Sequence, residues 1–213
     1  MNLVFDFGAV LFDWRPAARV AARFAGLVRS DEHARDLAHA IFAHPDWHAF
    51  DCGLVELEQV VERTAVRLVL ARDQVHRLLA PIGEELQPIA ANVEVLQRLA
   101  RLREDGARLQ LFFLSNMPAP FARSIEQRHD FLRLFDGGMF SGDVKLGKPD
   151  PAIYRLLADR HALAPQRTWF VDDNRANVEA AQALGWRALH LPEPEHLPSA
   201  VDLVLSGTHR SPA

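Results

Sequence analysis

Residues Leu3–Trp14 read LVFDFGAVLFDW, and the place of Asp6 within them decides how the rest of the chain is understood. Leu3, Val4 and Phe5 form an unbroken apolar run, partly β-branched, of the kind buried on both faces of a parallel sheet. Asp6 ends that run, and Gly8 follows to free the backbone. A carboxylate at the carboxyl end of a buried first strand points into the crevice where open α/β sheets hold their ligands. Two readings stand at this point: Asp6 is a nucleophile, or it caps a turn.

Composition narrows the field. With 49% hydrophobic and 24% charged residues, 213 residues suffice for one good core plus an insertion in a soluble globular protein. A net charge of -4 gives no electrostatic footprint for nucleic acid, and no apolar run approaches the roughly 20 residues of a membrane helix. Neither nucleic acid nor membrane is therefore expected as a partner. The strand pattern begins at Leu3 without a basic leader, so a cytoplasmic location is expected. Cys52 stands alone, which excludes an internal disulfide and a multi-cysteine zinc site; it reads as a small packed residue. Of the 24 basic residues only Lys145 and Lys148 are lysine, both in VKLGKPD. In a chain that otherwise uses arginine, such ammonium groups are candidates for a site that needs a compact point charge.

Working outward from Asp6, a helical region runs from Pro16 to about Leu86, with amphipathic patterns over Arg19–Leu27, Val55–Leu70 and Asp73–Ala80. WHAFDCG (Trp47–Gly53) reads as a turn-like break in which His48 and Asp51 cap or pack. Beyond Leu86, strands and helices alternate. A helix over Val93–Leu102 precedes a strand over Leu109–Leu114, and a helix over Phe121–His129 precedes a short strand near Gly138–Ser141. Pro149 is expected to open the next helix, with Asp150 in its first turn. A strand over Thr168–Val171, a helix over Ala176–Leu184 and two last strands, Arg187–Leu191 and Val201–Leu205, complete the pattern. Only Leu191–Pro198 and the tail after Gly207 look loose. The fold class is α/β: a three-layer, Rossmann-like parallel sheet core with a small all-helical cap. Residues 1–14 and 87–213 form the core, and residues 15–86 form the cap, a lid whose ends return to the same sheet.

Asp6, Ser115-Asn116 and Asp172-Asp173 each directly follow an apolar strand, so a parallel sheet brings them to one edge; Lys148, just before a helix, can reach that edge from the side. Singly, Ser115-Asn116 and Asp172–Asn174 are good turn or N-cap chemistry. Together, acids, a hydroxyl and a rare lysine suit phosphoryl transfer. A carboxylate nucleophile needs its charge offset before it approaches a phosphate, which Mg²⁺ held by further carboxylates does. A serine hydroxyl and an ammonium then bind the equatorial oxygens, and the covalent intermediate is an aspartyl phosphate.

With VFDFGAVLFDW, FLSN, KPDPAIY and FVDDNRANVEAA in this order, the chain resembles the haloacid dehalogenase superfamily, in its phosphatase branch with a helical cap after the first motif. The resemblance implies that Asp6 is the nucleophile, that Ser115 and Lys148 bind phosphate with help from the amide of Asn116, and that Asp172 and Asp173 serve Mg²⁺ together with Asp6 and the carbonyl of Gly8. There is one departure. Most phosphatases of the family carry a second Asp, the general acid and base, where this chain has Gly8. The family's dehalogenase branch lacks it too, but generally lacks the acidic pair of FVDDN as well. The expected function is thus a Mg²⁺-dependent phosphatase acting on a small-molecule phosphate ester, because a lid over the crevice excludes bulky groups and water. A 2-haloacid dehalogenase using the same Asp6, and a non-catalytic metal- or ligand-binding regulatory protein, remain as alternatives.

Overall fold

Each apolar run that follows the first is long enough to cross a sheet once and is separated from the next by a helix, so the strands are driven to lie parallel. In the computed structural model, which describes residues 1–208, β1 (Asn2–Phe5), β2 (Gln110–Ser115), β3 (Gly137–Phe140), β4 (Thr168–Asp172) and β5 (Arg187–His190) form one sheet. Their order is β3-β2-β1-β4-β5 and every neighbouring pair is parallel. The direction of winding reverses between β1 and β4, and such switch points open a crevice at the carboxyl ends of the strands.

Alternation along the strands sorts their side chains between two layers. Leu3, Phe5, Leu111 and Val171 pack into one apolar cluster with α7 (Ala90–Glu104), while Val4, Phe112, Leu114 and Phe170 pack into a second with α10 (Pro151–His161) and α11 (Arg175–Ala183). Helices on both faces bury the sheet twice over, which is why its strands read as continuous apolar runs rather than alternating ones. α8 (Ala119–Arg128) and the short α9 (Ser141–Val144) complete the connections between β2, β3 and β4.

Six helices separate β1 from α7: α1 (Pro16–Arg23), α2 (Asp31–Phe42), α3 (Pro45–Asp51), α4 (Leu57–Leu68), α5 (Arg72–Leu79) and α6 (Ile82–Glu85). The insertion leaves and re-enters at neighbouring backbone: Asp13 N–H donates to the Gln87 carbonyl at 2.8 Å, and Phe12 bridges Pro88.

The structure corrects three expectations. WHAFDCG is largely helical, because Pro45 occupies the first turn of α3, His44 accepts the Asp46 N–H as a cap, and Trp47, Phe50 and Asp51 bury one face. The helix expected from Pro149 begins at Pro151 instead, with the Asp150 side chain accepting the Ala152 N–H as N-cap. Val201–Leu205 is no strand but part of α12 (Leu197–Thr208): Leu197, Val201 and Val204 are buried at helical spacing, and Leu203 faces solvent. The loose tail expected after Gly207 lies, beyond Thr208, outside the described residues.

Candidate functional site

Asp6 follows β1, Ser115 closes β2, and Asp172 closes β4 with Asp173 next, so the sheet delivers all four side chains to its carboxyl edge. Lys148 joins them from the loop between α9 and α10, its Nζ 2.8 Å from Asp6 Oδ1 and 2.6 Å from Asp172 Oδ2. Carboxylate oxygens of Asp6, Asp172 and Asp173 lie within 4.8 Å of one another. Gly8, Ser115 and Asn116 line the same cavity as Asp6, Lys148 and Asp173. The other lysine, Lys145, is exposed at the end of α9.

The two central carboxylates are held differently. Asp6 Oδ1 accepts from the Phe7 N–H at 2.7 Å and faces the Lys148 ammonium, while Oδ2 has no hydrogen-bond partner among the described residues. Asp172 is fully buried and saturated. Its Oδ1 accepts from the Asn174 N–H at 2.8 Å and Asn177 Nδ2 at 3.0 Å, and its Oδ2 from Lys148 and, at 3.1 Å, from Asn177. Asp172 therefore fixes the lysine from behind, and Asp173 is the member of the pair that lines the cavity. Asn116 holds the same lysine by its backbone: its side-chain amide donates to the Lys148 carbonyl at 2.9 Å and accepts the Lys148 N–H at 2.8 Å. That amide group is thereby engaged in placing Lys148.

Burial raises the Asp6 carboxyl to about 7; Lys148 opposes the rise, and the charges of Asp172 and Asp173 add to it. Burial, then Asp172, lifts Asp173 to about 6. For Lys148, burial disfavours the ammonium, but Asp172 and Asp6 outweigh it and keep the group above the ordinary lysine range. Three carboxylates thus crowd together while the one ammonium pairs with Asp6 and Asp172 only, and the donor set is all oxygen. Such a set fits a hard divalent cation such as Mg²⁺, and Asp6 and Asp173 are the two members of it that line the cavity.

The cavity measures about 460 Å³ and lies between this cluster and the insertion, which contributes Phe42, His44, Trp47, His48 and Asp51. Asp51 is the residue that sequence reasoning left to capping or packing. It ends α3 buried, and burial, followed by the charge of Asp6, pushes its carboxyl well above the usual range. Its backbone carbonyl accepts from the Ser141 hydroxyl, which itself accepts the Met117 N–H at 2.8 Å, tying this insertion residue to the loop after Ser115. A signal existed: an aspartate in the last turn of a helix opposes the helix dipole. It becomes legible only once α3 is recognised as a helix.

Close backbone approach completes the junction. Gly53 has φ of +64°, and a Cβ there would lie 2.8 Å from the Gly142 carbonyl oxygen; a Cβ on Gly147 would lie 2.7 Å from Cys52 Sγ. Cys52 is buried, the packed small residue expected from the sequence, and burial raises its thiol to about 11, with Asp51 and Asp150 adding to the effect.

The comparisons with known proteins bear on the family and the fold. A family model described as haloacid dehalogenase-like hydrolase matches residues 3–185. A sesquiterpene phosphatase of Aspergillus oryzae is 28% identical over 188 residues, covering 88% of each chain. Among solved structures, an enzyme of Bacteroides thetaiotaomicron in complex with magnesium and inorganic phosphate superposes with a TM-score of 0.65 at 18% identity, over 89% of this chain and 92% of that one. The L-2-haloacid dehalogenase of Xanthobacter autotrophicus superposes with a TM-score of 0.64 at 18% identity, over 89% of this chain and 76% of that one. At these identities the two structures speak to the fold alone.

Proposed function

Since the chain belongs to the haloacid dehalogenase-like hydrolases, we propose that it is a Mg²⁺-dependent phosphatase that cleaves a small-molecule phosphate monoester through an aspartyl phosphate on Asp6. The observation that carries this reading is the clustering of Asp6, Asp172 and Asp173, two of them paired with Lys148, with Asp6 Oδ2 lacking a hydrogen-bond partner among the described residues. Bound between Asp6, Asp173 and the Gly8 carbonyl, Mg²⁺ would supply charge neutralisation for the nucleophile and the phosphate.

The chain's own groups do the rest. Lys148, locked by Asp172 and Asn116, and the Ser115 hydroxyl, which has no protein partner among the described residues, bind the phosphate oxygens. An Asp6 carboxylate oxygen attacks phosphorus as the bond to the ester oxygen breaks. Gly8 offers no proton, and Asp51, facing the same cavity from the insertion, donates one to the departing oxygen. The ionised Asp51 then takes a proton from the water that attacks phosphorus and frees Asp6 with release of inorganic phosphate. Residues 15–86 act as the cap that encloses these steps.

A dehalogenase reading has the absence of an acid at Gly8 in its favour. It fares worse on charge, because a haloacid anion would enter a site already crowded with carboxylates, whereas a phosphate ester arrives with a divalent cation. Phosphate release from small esters, measured with and without Mg²⁺ beside halide release from 2-haloacids, separates the readings. Metal-dependent phosphate release supports the phosphatase, metal-independent halide release overturns it, and neither activity with Mg²⁺ still bound points to a binding protein.

A further inference from the structure

We infer that the leaving group of the substrate is an uncharged, largely apolar alcohol, held against a chain of aromatic rings that crosses from the core through the insertion and back. The inference rests on the phosphatase reading above and deepens it by naming the substrate class.

The ring chain is continuous. Trp14 meets Phe42 edge-on with centroids 5.1 Å apart, Phe42 meets Trp47 at 4.8 Å, Trp47 meets Phe50 at 5.5 Å, and Phe50 meets Phe121 at 5.4 Å. Trp14 lies just after β1 and Phe121 on α8, while the three rings between them belong to α2 and α3, so the chain spans the cavity from one side of the core to the other. Trp14, Phe42, Trp47 and Phe121 line the cavity, joined by Ile82 and Leu86. Edge-to-face contacts fix the rings against each other and leave a preformed apolar wall. A cavity of about 460 Å³ is of the size that takes a small organic ligand.

Charge gives an independent restriction. Among the described residues that line the cavity, Lys148 is the sole lysine or arginine, and it is already shared between Asp6 and Asp172. A leaving group carrying a carboxylate or a second phosphate would be buried beside Asp51 without a fixed cation to pair with it, which is costly. Polyols fare little better. Each buried hydroxyl needs a partner, and the imidazoles on offer are partly engaged: His44 Nδ1 accepts the Asp46 N–H at 3.1 Å, and His48 Nε2 faces Cys52 Sγ at 3.7 Å. What the wall satisfies without residue is hydrocarbon, with Asp51 at the ester oxygen.

The test uses the purified full chain with Mg²⁺ and three primary alkyl phosphates of comparable leaving-group basicity: citronellyl phosphate, glucose 6-phosphate and phosphoglycolate. Acetyl phosphate, with its small leaving group, serves as the probe of chemistry alone. The expected result is a kcat/KM for citronellyl phosphate about 10²-fold above that of either polar ester, a ratio of the size that pocket contacts can produce. Equal or faster cleavage of glucose 6-phosphate or phosphoglycolate would overturn the substrate class and leave the phosphatase reading standing. Failure to release phosphate from any of the four, acetyl phosphate included, would remove the phosphatase reading and this inference with it. Trp47→Ala is expected to raise KM for citronellyl phosphate about tenfold, and that for acetyl phosphate much less. Should circular dichroism show that variant unfolded, Phe42→Leu, at a half-buried position, provides the same comparison. Equal effects on both probes would overturn the role of the ring chain.

Discussion

In the proposed mechanism Asp51 supplies the proton that Gly8 cannot, and that assignment has measurable consequences. A positioned general acid contributes roughly 10² to 10⁴ in rate, most for strongly basic leaving groups. Asp51→Asn keeps the size of the side chain but removes the exchangeable proton, so it should slow alkyl phosphates by a factor in that range and aryl or acyl phosphates far less. A leaving-group series of steady-state rates measures this, and a uniform loss across the series would deny Asp51 the role. Restoring the acid by Gly8→Asp has room for a Cβ, because Gly8 is outside the left-handed region and the nearest atoms beyond its chain neighbours are those of Trp14, at an ordinary contact distance of 3.7 Å. In the Asp51→Asn background it should recover alkyl-ester turnover. Asp6→Asn should lower turnover by at least about 10³-fold, in line with the loss of other covalent nucleophiles. Its circular dichroism spectrum should not change, and substantial retained activity in a rigorously purified sample would contradict the nucleophile assignment. Asp6, Ser115, Lys148 and Asp173 were legible in the sequence because each sits at a strand end or just before a helix. Asp51 was not, since nothing local in WHAFDCG shows that its carboxylate turns toward a strand end forty-five positions earlier in the chain.

Between elements, the critical joint is the one that holds α3 over the sheet edge. The Ser141 hydroxyl, fully buried, accepts from the Met117 N–H and donates to the Asp51 carbonyl. Ser141→Ala strands both partners, so a loss of about 1 to 3 kcal/mol in unfolding free energy is expected from urea titration. Because the same bond sets Asp51 above the cavity, kcat for alkyl phosphates should fall more than kcat for acetyl phosphate. Equal losses would mean that Ser141 stabilises the fold without placing the acid. At this scale the strands could be read from sequence with little error, since continuous apolar runs bounded by Asp, Ser-Asn and Gly leave few alternatives. The errors fell where short segments carry mixed signals. Val201–Leu205 is a short, largely apolar run like the other strands, yet α12 forms because Leu197 adds a third apolar position at helical spacing and packs the segment beside α7. α3 was hidden by a histidine in a capping role that Ser, Thr, Asp and Asn more often fill.

For the whole molecule, metal and protons compete for the same oxygens. The folded pKa values of Asp6, about 7, and Asp173, about 6, lie above the unfolded value of 3.8. Their contribution to stability is therefore fully present below about pH 4 and is lost as pH rises through 6 to 7 in metal-free protein. Mg²⁺ requires the ionised forms, so its binding should strengthen over the same interval, and calorimetric affinity at pH 5 should be much weaker than at pH 8. At pH 8, Mg²⁺ at about 100 times its Kd should add about 2.7 kcal/mol and raise Tm by several degrees. Asp173→Ala should abolish that rise, and an unchanged rise would place the cation elsewhere. The sequence by itself determined the parallel sheet, the family resemblance and the gathering of Asp6, Ser115, Lys148, Asp172 and Asp173 at one edge. It could do so because strand ends in a parallel sheet share an edge whatever surrounds them. Only the tertiary structure decided that Asp172 holds Lys148 while Asp173 faces the cavity, that Asn116 grips the lysine's backbone, and that Asp51 and a chain of rings close the site from above. Those contacts join residues distant in the chain, and their energies depend on how the insertion docks, which no local pattern of polarity or spacing encodes.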